Sequence, residues 1–337
     1  MTNPVLVEVT RGTLVESFHR GSVTIADAAG EIIFALGDIS TPIYPRSSLK
    51  PVQALPLVES GAADAFGLNA EHIALACASH SGEPMHTTRV AAWLKRIGLG
   101  EQDLACGPHP VRYEPVWREM VRRGEAPTRI HNNCSGKHTG FLTLAQHWGV
   151  ATAGYERHDH PVQQAVAKAL GELSGLSDEL PWGVDGCAAP NFALPLSHFA
   201  RALAQFADPR ALATPRASAV KRIVESMIAY PELVAGTERT CTILMRSAEG
   251  RAAVKTGAEG VFAAIIPERG WGVGLKVDDG AGRAAETVMA SLLESLGLLG
   301  KDDAARQILF APILNTRDAI VGERRPSEAL RNINLRR

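Results

Sequence analysis

Segments rich in β-branched residues sit at both ends of this chain, and runs with helical spacing fill the middle. That distribution constrains the fold more than any other feature. Residues 5–10 (VLVEVT), 13–18, 23–27 (VTIAD) and 31–36 (EIIFAL) are short and separated by RG, RG and AAG, the pattern of an antiparallel meander. After STPIYPR the apolar spacing predicts helices near 50–60, 69–77, 86–97, 113–123, 138–148, 160–173, 193–206 and 215–229. Strand-like segments return at 240–246 (TCTILMR), 251–256 (RAAVKT), 260–266 (GVFAAII) and 272–277 (GVGLKV), with turn residues between them. A long helix at 281–297 and an apolar-alternating piece near 309–321 follow. One mostly antiparallel sheet drawn from both termini buries both strand groups most simply. The expectation is an α+β fold in one unit spanning 1–337, with the sheet from about 1–45 and 240–322 and a helical region from about 46–235.

The charge balance narrows the partners. Thirty-five basic and 36 acidic residues leave a net charge of −1, and no basic stripe stands out, so a nucleic-acid or anionic-membrane partner has no electrostatic support. RRGEAPTR (122–129) and the C-terminal NLRR read as solvated surface. The N-terminal segment lacks the continuous apolar core of a signal peptide, and no window approaches the ~18 apolar residues a membrane span needs. Hydrophobic content of 45% and charged content of 21% are those of a globular protein. Cys77, Cys106, Cys134, Cys187 and Cys241 form an odd, sparse set that fits a reduced, cytoplasmic compartment.

Four stretches carry candidate chemistry. In RSSLKPVQALP (46–56), Ser47 and Lys50 lie three residues apart at a predicted helix start, on one face. A neutral lysine amine can take a serine proton, and Ser–Lys pairs are a known nucleophile arrangement. The competing reading is a capping serine beside a surface charge. Ser218 and Lys221 share the spacing, but they sit inside an amphipathic helix and read as structural. Lys255-Thr256-Gly257 ends a predicted strand. Ser-x-x-Lys early and Lys-Thr-Gly late is the order found in penicillin-recognising enzymes. In ACASHSGEP (76–84), Ser79, His80, Ser81 and Glu83 crowd into an apolar neighbourhood, which suits either a satisfied turn or a close approach to ligand. The fourth element joins IHNNCSGKHTG (130–140) to VDGCAAP (184–190). Cys134, Lys137, Asp185 and Cys187 offer two thiols, an amine and a carboxylate. Metal ligation competes here with ordinary buried cysteines, and His131 or His138 would be a more conventional nitrogen ligand.

YPRSSLKPVQ, CASHSGE, HNNCSGKHTG, VDGCAAPNFALPL and VKTGAEGVF, in this order over about residues 5–322, resemble the asparaginase II family of Rhizobium-etli-type L-asparaginases. The resemblance implies a fold similar to serine β-lactamases and bacterial glutaminases. It implies an amidohydrolase converting L-asparagine to L-aspartate and ammonia, with Ser47 as acyl-accepting nucleophile. Ser47 and Lys50 match the family's first Ser–Lys tandem, and Ser79 with Lys255 its second. Arg46 and His138 match expected substrate contacts. Cys134, Lys137, Asp185 and Cys187 match its zinc ligands, and Cys241 a further cysteine read as structural. A homodimer is implied as well. A zinc closed by four protein ligands has no position for an activated water, so its expected role is to support substrate binding. Two other classes compete: a glutaminase or other serine amidase of this architecture, and a non-catalytic amino-acid- or zinc-binding protein.

Overall fold

A computed structural model describes residues 2–333 and 335. Within NLRR, Asn334, Arg336 and Arg337 lie outside the described residues. Contacts divide the chain into two compact units. The first takes residues up to Ser48, Leu194–Asp208 and those from Ile243 on; the second takes Leu49–Ala193 and Pro209–Thr242.

The first unit holds an eight-stranded sheet. Its strands are β1 (Val5–Arg11), β2 (Leu14–Asp27), β3 (Ile32–Leu36), β4 (Ala253–Thr256), β5 (Val261–Ile266), β6 (Trp271–Val277), β7 (Ala311–Leu314) and β8 (Ile320–Pro326). They lie in the order β7-β8-β1-β2-β6-β5-β4, with β3 also on β2, and each pairing is antiparallel. The two ends of the chain therefore share one sheet, and the fold is α+β as the strand distribution implies.

Two expectations fail. Residues 13–18 and 23–27 are not separate strands; they are halves of β2, which pairs first with β1 and then with β6. Gly21, read as a turn residue, sits where β2 changes partner, and a Cβ there would lie 2.3 Å from Lys276 O. Glycine is needed for close approach of two backbones rather than for a reversal. Residues 240–246 are not a strand either, but part of a helix, Thr240–Ser247. Cys241, Leu244, Met245 and Ala248 are buried at the spacing of one helical face, and that burial outweighs the β propensity of the TCTI run.

β5 is buried at every residue. The Leu196–Ala207 helix packs on the sheet at two glycines of β6: a Cβ on Gly272 would lie 2.1 Å from Ala200 O, and Gly274 faces Leu196 and Phe199. Val273, Leu275 and Val277 point to the opposite face, and the Gly282–Ser295 helix packs on the sheet as well.

The second unit is helical. Lys50–Glu59 is buried from Lys50 through Val58, and Ser135–His147 from Ser135 through Ala145, so both are central helices. Around them pack Ala70–Ala76, Pro161–Ser174 and Thr214–Ala229. Gly136 lets Ser135–His147 press on the end of Ala70–Ala76, since a Cβ there would lie 2.4 Å from Leu75 O. A short hairpin, Trp182–Val184 with Pro190–Phe192, interrupts the helices. Among the described residues, no helix is long and apolar enough to cross a membrane.

Candidate functional site

Arg46–Leu49 forms a single 3₁₀ turn, and the next helix begins at Lys50. Arg46 has φ +54°, the left-handed region, which costs a side-chain-bearing residue ~1–2 kcal/mol. Such strain gathers at functional turns, and here it falls immediately before Ser47. The neighbouring Ser48 is tied off, because its Oγ–H donates to Pro45 O at 2.6 Å. The end of β4 reaches the same place: a Cβ on Gly257 would lie 2.6 Å from Pro45 O. The Lys-Thr-Gly segment and the Ser47 turn are thus brought together. Lys255 is buried, and its Nζ donates to Thr256 O at 2.9 Å.

In the second unit, Lys50 is buried and its Nζ donates to Ala78 O and, at 2.9 Å, to Ser79 Oγ. Lys50 thereby meets the serine that the resemblance places in the other tandem. Ser79 is fixed by its own N–H to Val234 O at 2.9 Å. The loop around it, Cys77–Glu83, is buried and fully engaged. Ser81 Oγ donates to Ala235 O at 2.9 Å, and Glu83 accepts from Thr237 N–H at 2.8 Å and Thr237 Oγ1–H at 2.6 Å. Gly236, at φ +125°, permits this contact, for a Cβ there would lie 2.0 Å from Ser81 Oγ.

His80 joins that loop to the next cluster. Its Nδ1 accepts from Gly82 N–H at 3.1 Å, which leaves the proton on Nε2 to donate to Ser135 Oγ at 2.9 Å. Ser135 passes its own proton to Ile130 O at 2.9 Å. The ring stacks on His86, with centroids 4.8 Å apart. Burial, then the charges of His86 and Lys50, push the His80 pKa well below the histidine range, so the imidazole is neutral.

Cys134 precedes the Ser135–His147 helix, and Lys137 and His138 lie in its first turn, which starts three residues earlier than the spacing predicts. Asp185 and Cys187 sit in the turn of the Trp182–Phe192 hairpin, where Asp185 N–H donates to Ala189 O. Lys137 Nζ lies 3.1 Å from Cys187 Sγ. The hydrogen bond from Cys134, helped by the Lys137 charge, pulls the Cys187 thiol down to about 5, against burial. The same hydrogen bond and burial push Cys134 up to about 12. Burial pulls Lys137 down, but the charges of Cys187, Cys134 and Asp185 outweigh it and hold the ammonium above its usual range. In the cluster, Cys134 Sγ donates to Asn133 Oδ1 at 3.1 Å, and Lys137 Nζ stands beside Cys187 Sγ.

Two sulfurs and an amine fit a zinc ion, provided Cys134 and Lys137 release their protons. Among the described residues, however, no three His, Cys, Asp or Glu side chains stand together as a metal shell. A cleft of about 500 Å³ opens beside the hairpin, lined by His158, Trp182, Val184 and Ala188 among others.

His138 is buried beside this cluster. Tyr155 OH accepts from Ala105 N–H at 2.9 Å, which leaves its proton for His138 Nδ1 at 2.6 Å. His138 Nε2 then carries a hydrogen, and it has no partner among the described residues. Burial and Lys137 lower the His138 pKa to about 3, so Nε2 is a neutral donor available to a ligand oxygen. Sequence reasoning named His80 only as one of the polar residues of the 76–84 stretch, and it did not single out Tyr155. His80 lies inside the CASHSGE motif, a usable signal; Tyr155 has none, because its partner is 17 residues away on another element.

Solved structures similar to this chain include Mglu in its native form, 13% identical over 89% of this chain and 70% of that one, with a TM-score of 0.48. Others are a β-lactamase from Mycobacterium bovis, 13% identical over 79% and 89% with a TM-score of 0.41, and a β-lactamase from Burkholderia ambifaria, 14% identical over 81% and 94% with a TM-score of 0.34. No curated protein matches the chain significantly. The family described as L-asparaginase II matches residues 7–326, nearly the whole chain and every motif above. The chain belongs to the L-asparaginase II family.

Proposed function

We propose that the protein hydrolyses the side-chain amide of L-asparagine to L-aspartate and ammonia through a seryl ester on Ser47. The observation that carries this reading is the buried Lys50 amine, 2.9 Å from Ser79 Oγ, at the start of the helix that Ser47 precedes. With one N–H on Ala78 O, a neutral Lys50 has a lone pair for a hydroxyl proton. Ser47 Oγ attacks the amide carbon as its proton passes to Lys50. The tetrahedral intermediate then collapses: the C–N bond breaks, Lys50 returns the proton to nitrogen, and ammonia leaves. Water, deprotonated by the same lysine, cleaves the ester to aspartate and restores Ser47. Ser79 and Lys255 complete the proton network, and the Nε2–H of His138 and Arg46 are the proposed substrate contacts.

The test is ammonia release from L-asparagine and L-glutamine. Wild-type turnover of asparagine should fall about 10⁴-fold or more in Ser47→Ala. Survival of turnover in Ser47→Ala with loss in Ser79→Ala would move the nucleophile to Ser79. Absence of turnover of either amide by folded wild type would sink the enzyme reading. Glutamine is the necessary control, since one methylene is worth only ~1–3 kcal/mol of discrimination.

We also propose Cys134, Lys137, Asp185 and Cys187 as zinc ligands. A bound zinc would supply a fixed charge that anchors the hairpin and shapes the pocket, not a nucleophile. Protein purified without added metal should carry roughly one zinc per chain, and Cys187→Ser should not. Full asparagine affinity in folded, metal-free protein would reject this role. Five buried cysteines outside any disulfide support a reduced, cytoplasmic compartment, and a homodimer, testable by light scattering, completes the proposal.

A further inference from the structure

Residues 78–83, which carry Ser79, belong to no helix or strand. Backbone outside regular structure is held by the hydrogen bonds that neighbouring groups supply. On its N-terminal side Ser79 is fixed by its own N–H to Val234 O at 2.9 Å. On its C-terminal side the next residue is His80, which is 1% exposed and reaches across to the Ser135–His147 helix. The chemistry above gives this ring no part.

His80 is held from several sides. Its backbone N–H donates to Asn133 O at 3.1 Å and its Nε2–H to Ser135 Oγ at 2.9 Å, so it grips the helix start on both sides of Cys134. Its Nδ1 accepts from Gly82 N–H at 3.1 Å, which folds the loop back over the ring. Gly82, at φ +77°, closes on the same segment, since a Cβ there would lie 3.0 Å from His131 O. His86 covers one face of the ring, 4.8 Å away and 10° from parallel. All of this is one residue from the hydroxyl that meets Lys50 Nζ at 2.9 Å. Reacting groups misplaced by ~1 Å lose about 100-fold in rate, and they keep their place only where neighbours lock them.

We propose that His80 is the positioning residue of Ser79: by bridging Gly82 and Ser135 it fastens the Ser79 loop to the Ser135–His147 helix and holds the Ser79 hydroxyl on the Lys50 amine. The catalytic consequence rests on Lys50 and Ser79 serving as a proton network; the restraint itself rests on the hydrogen bonds of His80. The bond to Ser135 is the decisive one, because it joins two elements 55 residues apart, whereas the bond to Gly82 stays within the loop.

The test separates the two bonds. In His80→Gln the amide nitrogen stands where Nε2 stands and keeps the donor to Ser135; in His80→Asn the amide oxygen replaces Nδ1 toward Gly82 and the reach to Ser135 is lost. Among folded variants, asparagine kcat should fall about 10- to 100-fold in His80→Asn and in Ser135→Ala, with KM within about threefold, and His80→Gln should stay within about threefold of wild type. The His80→Asn/Ser135→Ala double variant should be no slower than either single one. In a Ser79→Ala background His80→Asn should change the residual rate by less than about twofold, since its effect passes through Ser79. An equal loss with and without Ser79 would make His80 a general support of the fold and overturn the proposal, as would an unchanged kcat in folded His80→Asn. Amide hydrogen exchange over residues 77–83 needs no turnover: it should quicken in His80→Asn and Ser135→Ala but not in His80→Gln. Unchanged exchange would overturn the restraint whatever the reaction, and absence of amide turnover by wild type would overturn the enzyme reading while exchange still judges the restraint.

Discussion

Arg46 shows how much a single backbone angle adds to a sequence motif. RSSLK presents two serines and does not say which one reacts; the structure ties Ser48 to Pro45 O and sets strain next to Ser47. Arg46→Gly would relieve ~1–2 kcal/mol of left-handed strain but free a glycine in the unfolded chain, so stability by urea unfolding should change by less than ~1 kcal/mol. Asparagine KM should rise nonetheless, since the guanidinium is lost. Lys50→Met tests the base directly: ammonia release should fall about 10³-fold, while circular dichroism shows a folded protein. The candidate lysines, serines and cysteines were legible because reactive side chains recur at fixed spacing. The partner of His80 and the whole part of Tyr155 were not, because these side chains meet residues that lie 55 and 17 positions away.

At the scale of elements, glycines decide how close the machinery comes. Gly136 lets the Ser135–His147 helix rest on Leu75 O, four residues before Ser79, and it also sits beside the Cys134–Lys137 pair. Gly136→Ala must push the two helices apart, at ~1–3 kcal/mol by urea unfolding. Its kcat should drop more than that of Gly272→Ala, whose still tighter contact with Ala200 O lies in the sheet unit. Equal kcat in the two variants would mean that the Ser79 loop is not set by this contact. Most helices were legible from their 3.6-residue spacing. The errors fell where a local signal has two meanings: Gly21 as turn or close approach, and TCTILMR as strand or buried helix face. The Trp182–Phe192 hairpin that carries Asp185 and Cys187 has three-residue strands, too short to leave a period in the sequence.

For the whole molecule, buried neutral histidines set the response to acid. His80 and His86 are both depressed, chiefly by burial. Below pH ~6.5 the unfolded chain takes up protons at these positions while the folded chain does not, so stability falls as pH drops, by up to ~1.4 kcal/mol per pH unit for each ring. Urea midpoints should decline from pH 7 to 5, and His80→Gln should flatten the slope, whereas an unchanged slope would remove His80 as its source. By itself the sequence determined the α+β class, the gathering of terminal strands into one sheet and the family, because hydrophobic period and reactive motifs are local properties of a chain. Only the tertiary structure decided that Lys50 meets Ser79 and that Lys137 sits on Cys187 Sγ. Those pairings are between residues far apart in the chain, which no local spacing encodes.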